Sequence, residues 1–147
     1  MKRITTFLLA TVFALSLTAQ DSADETTIKA IIEAETLAFA NADLATWASY
    51  FVHEPYLRWT VSPTMSFDGW DALYQGAKSF LEGSSGRAAA NELHKITREN
   101  WDIRVVGDMA WVKFMQTTEG NPVAAHQFRV LERNNGKWKI AALIAVH

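Results

Sequence analysis

The side chain with the clearest chemical potential in this sequence is a carboxylate on a helical stripe. Glu35 shares that stripe with four apolar residues, because residues three and four apart lie on one face of a helix. The four are Ile28, Ile31, Ile32 and Phe39. A carboxylate among apolar side chains is partly desolvated and becomes a stronger base, so Glu35 is a candidate general base. The alternative is a structural ion pair or hydrogen bond, with Arg58 as the partner, because buried acids are usually paired.

A second set of candidate groups follows Pro55 and consists of Tyr56, Arg58 and Trp59. Arg58 could hold a carboxylate or enolate oxygen through a bidentate contact, while Tyr56 and Trp59 could stack on a ring. These three are candidate substrate-binding residues. The alternative is that they fill the core and that Arg58 neutralises Glu35.

Two residues of the last third of the chain complete the candidate site. His126 lies at the start of an expected strand, where a histidine could serve as an acid or base at neutral pH. It could equally be a solvated side chain. Gln116 shares a strand face with Val112 and Phe114, so it could orient a ligand in an otherwise apolar wall. It could also sit at the rim and bind water.

The sequence predicts neither a metal nor a cofactor. The four histidines show no i, i+4 pairing, and His53-Glu54 is followed by Pro55, so the HExxH zinc motif is absent. The sequence also lacks a Gly-rich phosphate loop, a GxSxG elbow and a nucleotide fingerprint.

Residues 1–19 are typical of a secretory signal peptide. Lys2 and Arg3 precede a mostly apolar run over residues 7–17, and Ala19 offers a small residue for cleavage. The run is shorter than the roughly 20 residues that a permanent membrane helix needs. A buried N-terminal helix is the alternative, but the run offers it only Thr11 and Ser16 as a polar face. We therefore expect a periplasmic or secreted protein with no membrane contact after cleavage.

The composition of the remaining residues 20–147 indicates a single domain. The sequence has no cysteine, so it offers no disulfide, thiol nucleophile or lipid attachment site. Without Lys2 and Arg3 it carries 12 basic and 16 acidic residues, a net charge of −4. We expect no nucleic-acid partner, because such proteins usually carry a basic stripe.

Three helices are predicted in the first part of the domain. The first covers about residues 24–41, and Asp43 caps a second, shorter helix that ends before Pro55. After an irregular, aromatic segment over residues 53–62, Asp68 caps a third helix with an apolar face. Residues 83–86, Gly-Ser-Ser-Gly, are expected to end that helix in a mobile loop.

From about residue 92, apolar residues recur at every second position, which predicts four strands. Trp101, Ile103 and Val105 share one strand face; further strands cover residues 109–118, 123–133 and 137–146. Asn135-Gly136 predicts a tight hairpin, because both residues tolerate positive φ. Residues 141–146 are apolar on both faces, which indicates that the outer face is also covered. We expect a symmetric homodimer to cover it; the alternative is one subunit that curls over both sides.

This order of elements resembles the nuclear transport factor 2-like, or SnoaL-like, superfamily. The resemblance rests on residues 38–51 (AFANADLATWASYF), 67–73 (FDGWDAL), 106–112 (VGDMAWV) and 130–140 (VLERNNGKWKI). It implies an α+β cone, in which a strongly bent antiparallel sheet wraps the first of three N-terminal helices and leaves an apolar cavity open at one end. Members include ketosteroid isomerase, scytalone dehydratase and polyketide cyclases, together with binding domains that have no known chemistry.

The resulting hypothesis is a secreted domain that binds a small apolar or aromatic molecule. Its candidate chemistry is proton transfer without a cofactor, as in an isomerase, dehydratase or cyclase, with Glu35 or His126 as base and Arg58 or Tyr56 stabilising the oxyanion. Residues 141–146 lack the histidines that end many related domains. That departure favours two alternatives, a non-catalytic binding protein and a dimerisation or interaction module.

Overall fold

A computed structural model describes the backbone of residues 5–62 and 64–146, and the side chains of residues 23–62, 64–121 and 123–146. The predicted signal peptide, residues 1–19, falls outside the described residues at 1–4 and is described by its backbone alone from residue 5. Within the described part of the chain, no helix is both long and apolar enough to cross a membrane.

The described residues form four α-helices packed on a six-stranded sheet, which confirms the α+β class and the cone-type fold. The helices are α1 (Thr5–Ala40), α2 (Leu44–Ala48), α3 (Trp70–Glu82) and α4 (Ser84–Asn91), followed by a 3₁₀ turn (Glu92–Lys95). The strands are β1 (Arg58–Ser62), β2 (Met65–Asp68), β3 (Ile96–Val106), β4 (Met109–Thr118), β5 (Asn121–Asn134) and β6 (Lys137–Val146).

The strand order is β2-β1-β6-β5-β4-β3, and β1 pairs with β6 in parallel. The sheet is therefore mixed, and the expectation of an antiparallel sheet was wrong at this one pair. The last four strands form the predicted meander. Asn135 and Gly136 have φ of 50° and 75° in the β5–β6 turn, which confirms the predicted hairpin.

The core lies between the helices and one face of the sheet, which we call the inner face. Helix α1 contributes Ile28 and Ile32, helix α2 contributes Trp47, and the chain just after α2 contributes Phe51. These side chains pack with buried sheet residues that include Val112, Phe114, Leu131 and Ile140. This burial orients α1 so that one of its faces lies against the sheet along the length of the core.

Three local predictions were wrong. Helix α1 begins at Thr5, well before residue 24, although its end at Ala40 agrees with the prediction. Gly69, with φ of +87°, is the N-cap residue of α3, while Asp68 lies in β2 and pairs with Arg58. Asp68 is thus held in the strand ladder and cannot cap the helix.

The segment predicted as a mobile loop begins helix α4. Gly83 joins the two helices, and Gly86 is buried against α3. A Cβ atom at Gly86 would lie 2.0 Å from the carbonyl oxygen of Phe80. Glycine is required there because two backbones approach closely, so the Gly-Ser composition reflects a tight helix–helix corner.

Candidate functional site

A cavity of about 290 Å³ lies between the helices and the inner face of the sheet. Most of its wall is apolar or aromatic. The aromatic residues that line it are Phe39, Trp47, Trp59, Phe67 and Phe80. The polar residues that line it are Glu35, Thr36, Arg98, Gln116, Gln127 and Arg129. A mostly apolar pocket with a few polar groups is the usual form of a small-molecule site.

Glu35 is buried on α1 and faces this cavity. Trp47 Nε1 donates a hydrogen bond of 2.8 Å to Glu35 Oε1. The hydroxyl of Thr36 lies 3.2 Å from Glu35 Oε2. These contacts fix the orientation of the carboxylate while it remains in the cavity wall.

Arg129 on β5 is a buried cation in the same wall. Its Nη1 donates to Gln127 Oε1 at 2.7 Å, and its Nε has no hydrogen-bond partner among the described residues. Burial lowers the pKa of Arg129 to about 10; the negative charge of Glu35 opposes this shift and the positive charge of Arg98 adds to it. Arg129 remains protonated at neutral pH.

Arg98 on β3 is the second cation of the cavity. Its Nη2 donates to Thr36 Oγ1 at 2.7 Å and its Nε donates to Gln116 Oε1 at 3.2 Å. Burial lowers its pKa as well, and the negative charge of Glu35 opposes that shift. Thr36 thus links Arg98 to Glu35 through its hydroxyl group.

Both arginines contact the ring of Phe114. The ring lies 5.4 Å from the guanidinium carbon of Arg98 and 5.5 Å from that of Arg129. In the sheet, Arg98 pairs with Gln116 and Phe114 pairs with Gln127. The polar side chains of three adjacent strands therefore meet on one part of the inner face. We call this part the charged end of the cavity; it consists of Arg98, Gln116, Gln127 and Arg129.

The structure brings only some of the predicted site residues together. Glu35, Trp59 and Gln116 line the cavity. Arg58 does not reach Glu35: it forms an exposed ion pair with Asp68 at 3.3 Å and donates to two backbone carbonyl groups. The predicted Glu35–Arg58 pair is therefore wrong, and the reason is that side chains alternate along β1, which places Trp59 inward and Arg58 outward.

Tyr56 is exposed and its hydroxyl donates to Glu132 Oε1 at 2.5 Å. This hydrogen bond raises the pKa of Tyr56 to about 12. Tyr56 fastens the segment before β1 to β5 and does not line the cavity.

His126 is exposed on β5, whereas its neighbours Ala125 and Gln127 are buried. It pairs with Met115 and Val146 on the face of the sheet that points away from the helices, which we call the outer face. The structure therefore does not bring His126 to the cavity.

The sequence patterns missed Arg98, Gln127 and Arg129. The register of β3 shifts between Glu99 and Asp102, at Asn100 with φ of +57°, and this bulge turns Arg98 to the same face as Ile103. The only signal was Asn100, a residue type that tolerates positive φ.

Strand β5 departs from the usual pattern in a different way. Gln127 and Arg129 point inward, whereas Phe128 is exposed on the outer face. Sequence patterns assign the apolar side chains of a strand to the inner face. In this part of β5 the polar side chains point inward, so the rule predicts the wrong face.

Comparison with known proteins agrees with this architecture. The sequence profile described as SnoaL-like domain matches residues 28–143. The chain belongs to the SnoaL-like domain family. No curated protein matches it.

Solved structures share the fold of this SnoaL-like domain at low sequence identity. A nuclear transport factor 2-like protein with a cystatin-like fold from Novosphingobium aromaticivorans is 14% identical, with a TM-score of 0.69, over 99% of this chain and 90% of that one. A cystatin-like fold protein from Burkholderia xenovorans is 17% identical, with a TM-score of 0.64, over 82% and 88%. A candidate dehydratase of the nuclear transport factor 2-like family from Streptomyces avermitilis is 16% identical, with a TM-score of 0.61, over 85% and 96%.

Proposed function

We propose that this protein binds a small, flat, largely apolar molecule in the cavity between α1, α3, α4 and the inner face of the sheet. The observation that carries the proposal is the cavity of about 290 Å³ with its aromatic wall and one charged end. Aromatic walls favour ring systems, and a few oriented polar groups fix the position of the ligand.

A pair of neighbouring alanines on α4 gives a direct test. Ala88 and Ala89 are both exposed, but only Ala89 is among the residues that line the cavity, because adjacent helical positions point about 100° apart. In Ala89→Trp the indole should cover the cavity, whereas in Ala88→Trp it should extend into solvent.

The measurement is calorimetric titration with 2-naphthamide, a neutral ligand with two fused rings that suits an aromatic wall. We expect binding to the wild type and to Ala88→Trp, and at least about a tenfold loss of affinity in Ala89→Trp. Equal affinity in the two variants, or no binding to the wild type, would contradict a ligand-binding cavity.

Proton transfer in the same cavity is a second candidate function, and the position of Glu35 favours it. Its carboxylate is buried in the cavity wall and held by Trp47, so it could accept a proton from a bound ligand. Arg98 and Arg129, rather than Arg58 or Tyr56, are then the groups placed to stabilise the developing oxyanion. The candidate dehydratase from Streptomyces avermitilis is a structural relative whose description is compatible with such chemistry.

Exchange of the α protons of 1-tetralone for deuterium, followed by proton NMR, tests this second candidate. A general base at Glu35 predicts exchange above the solvent background in the wild type and loss of about a hundredfold or more in Glu35→Gln. Circular dichroism should show that Glu35→Gln remains folded. If both proteins exchange only at the background rate, the binding function stands without catalysis.

Export and cleavage of residues 1–19 also form part of the proposed function. The buried side chains that the structure describes begin at Asp24, so cleavage after Ala19 would leave all of them in the mature domain. Expression of the full chain in a bacterium, followed by N-terminal sequencing of the periplasmic fraction, should give a mature protein that starts near Gln20. A cytoplasmic product with an intact N-terminus would contradict export.

We also propose that the protein forms a homodimer through the outer face of the sheet, because that face exposes apolar side chains. Trp111, Phe128, Ile144 and Val146 lie there and are between 38% and 51% exposed in the single chain. An apolar patch of this kind is typical of a protein–protein interface.

Sedimentation equilibrium tests the dimer with two matched variants. Phe128→Glu places a charge in the outer face, whereas Leu37→Glu places one at an exposed apolar position on α1. We expect a dimer for the wild type and for Leu37→Glu, and a monomer for Phe128→Glu, because an unpaired charge at an apolar interface is costly. A monomeric wild type would contradict the dimer.

A further inference from the structure

The charges that line the cavity do not balance. Among the described lining residues, Glu35 carries a negative charge and Arg98 and Arg129 carry positive charges, which leaves a net charge of +1. Among the described residues, no carboxylate lies within ion-pair distance of either arginine. A buried cation without a paired anion is unfavourable, so the charged end of the cavity has an unmet requirement for negative charge.

Arg129 has an unmet hydrogen-bonding requirement as well. Its Nε is buried and has no partner among the described residues, while Gln127 binds Nη1 on the other side of the guanidinium group. An unsatisfied donor on a buried, charged group is costly. A guanidinium group presents its donors as a planar fork that matches the two oxygens of a carboxylate.

The surroundings position Arg98 and Arg129 independently of any ligand. Arg98 is held by Thr36 and Gln116, and both guanidinium groups lie over the ring of Phe114. The positive charge of Arg98 acts unfavourably on the charged form of Arg129, so an anion that binds both guanidinium groups would relieve their repulsion.

We propose that the charged end of the cavity selects a monocarboxylate with an aromatic or apolar body, and that Arg98 and Arg129 bind its carboxylate group. This inference rests on the proposed binding function and names the ligand class. A single negative charge would bring the lining to neutrality, whereas a dianion would leave an excess negative charge beside Glu35. The aromatic wall, which includes Trp47 and Trp59, would then hold the ring system.

The test compares two ligands of the same shape, 2-naphthoate and 2-naphthamide, by calorimetric titration at pH 7. The wild type should bind the carboxylate at least about tenfold more tightly, since hydrogen bonds to charged groups exceed neutral ones in strength. In Arg129→Gln and in Arg98→Gln this preference should fall to about threefold or less, because the affinity for the carboxylate should fall much more than the affinity for the amide. Binding of the amide that remains measurable shows that the cavity is intact in each variant.

Arg104→Gln is the matched control. Arg104 lies on the same strand as Arg98, but it is exposed, pairs with Asp102 at 3.2 Å and does not line the cavity. Its replacement should leave both affinities unchanged.

The outcomes separate this inference from the proposed function. Equal binding of both ligands by the wild type would overturn the carboxylate preference and leave cavity binding in place. A preference that survives in Arg129→Gln and in Arg98→Gln would overturn the assignment of these arginines. Absence of binding by both ligands would overturn the proposed function and this inference together. If Arg129→Gln does not fold, Arg98→Gln alone decides between these outcomes.

Discussion

Among the described side chains of helix α1 are two buried carboxylates whose surroundings differ. Asp24 and Glu35 are about three helical turns apart. Asp24 accepts hydrogen bonds from Arg133 Nη2 at 2.8 Å and from Trp138 Nε1 at 3.0 Å, and Arg133 also lies 3.2 Å from Asp108. Glu35 accepts hydrogen bonds from Trp47 Nε1 and from the hydroxyl of Thr36. The arginines near it, Arg98 and Arg129, form no ion pair with a described residue.

The two ends use the same residue types, but one is a structural ion pair and the other is the binding site that we propose. Around Asp24, which we call the closed end, Arg133 and Trp138 both donate to the aspartate. The cation there has two carboxylate partners, Asp24 and Asp108. At the charged end of the cavity, Arg98 and Arg129 have no carboxylate partner among the described residues. Together with Glu35 they leave the cavity lining with a net positive charge. Buried charge is therefore a mark of function only where its partners are incomplete.

The largest expected effect is at the closed end. Arg133→Met should lower the free energy of unfolding by about 3 to 5 kcal/mol, because it leaves the buried carboxylate of Asp24 without its cation. Urea denaturation of the variant and the wild type gives this difference. Arg104→Met, which breaks an exposed ion pair, should cost at most about 1 kcal/mol. Equal losses in the two variants would show that the closed end is no stronger than a surface pair.

The glycine at the corner between α3 and α4 should give the next largest effect. Gly86→Ala should lower the free energy of unfolding by about 1 to 3 kcal/mol, because the added methyl group meets the carbonyl oxygen of Phe80 at 2.0 Å. This loss opposes the gain of about 1 kcal/mol that alanine normally gives inside a helix.

Gly83→Ala is the control for that experiment. Gly83 has an ordinary φ of −78°, and an added Cβ would make its nearest contact at 3.6 Å. Urea denaturation should therefore show a change within about 0.5 kcal/mol. A stabilised Gly86→Ala variant would mean that α4 can move away from α3.

Replacement of an arginine at the charged end of the cavity should change the free energy of unfolding in the opposite direction from the replacement of Arg133 at the closed end. Arg129→Met should raise the free energy of unfolding of the ligand-free protein by about 1 kcal/mol, because it removes a buried cation that has no carboxylate partner among the described residues. The measurement is the same urea denaturation. A loss as large as that of Arg133→Met would show that Arg129 is a structural cation, and the contrast between the two ends would fail.

The smallest effect concerns the link between Tyr56 and Glu132. The pKa of Tyr56 is raised to about 12 by its hydrogen bond to Glu132, and an unfolded tyrosine titrates near 10. The stabilisation from this contact is therefore complete below about pH 10 and is lost as the pH rises through 12. Absorbance titration of the tyrosines should show one component near pH 12 that disappears in Tyr56→Phe. A component that persists in the variant would assign the shift to another tyrosine.

Local patterns predicted the fold well where side-chain alternation and turn chemistry act together. The hairpin at Asn135-Gly136 and the strand over residues 109–118 depend on neighbouring residues only. The parallel contact of β1 with β6 depends on residues far apart in the sequence, so no local pattern could show it. The Gly-Ser corner was misread because the close approach of α3 and α4 is a tertiary contact.

The site was predicted only in part for a related reason. Glu35 stood out because it interrupts an apolar stripe, and the structure places it in the cavity wall. Arg98 was hidden by a bulge, and Arg129 lies on a strand that turns its polar side inward. Cavities admit polar residues that a packed core excludes, so the rule that apolar residues face inward fails where the interior is hollow.

A crystal structure of the protein grown with 2-naphthoate shows whether the cavity binds an aromatic carboxylate. We expect the ring system to lie against Trp47 and Trp59, and the carboxylate oxygens to lie about 2.7 to 2.9 Å from guanidinium nitrogens of Arg98 and Arg129. A ligand bound on the outer face of the sheet, or a cavity closed by its own side chains, would contradict ligand binding in the cavity.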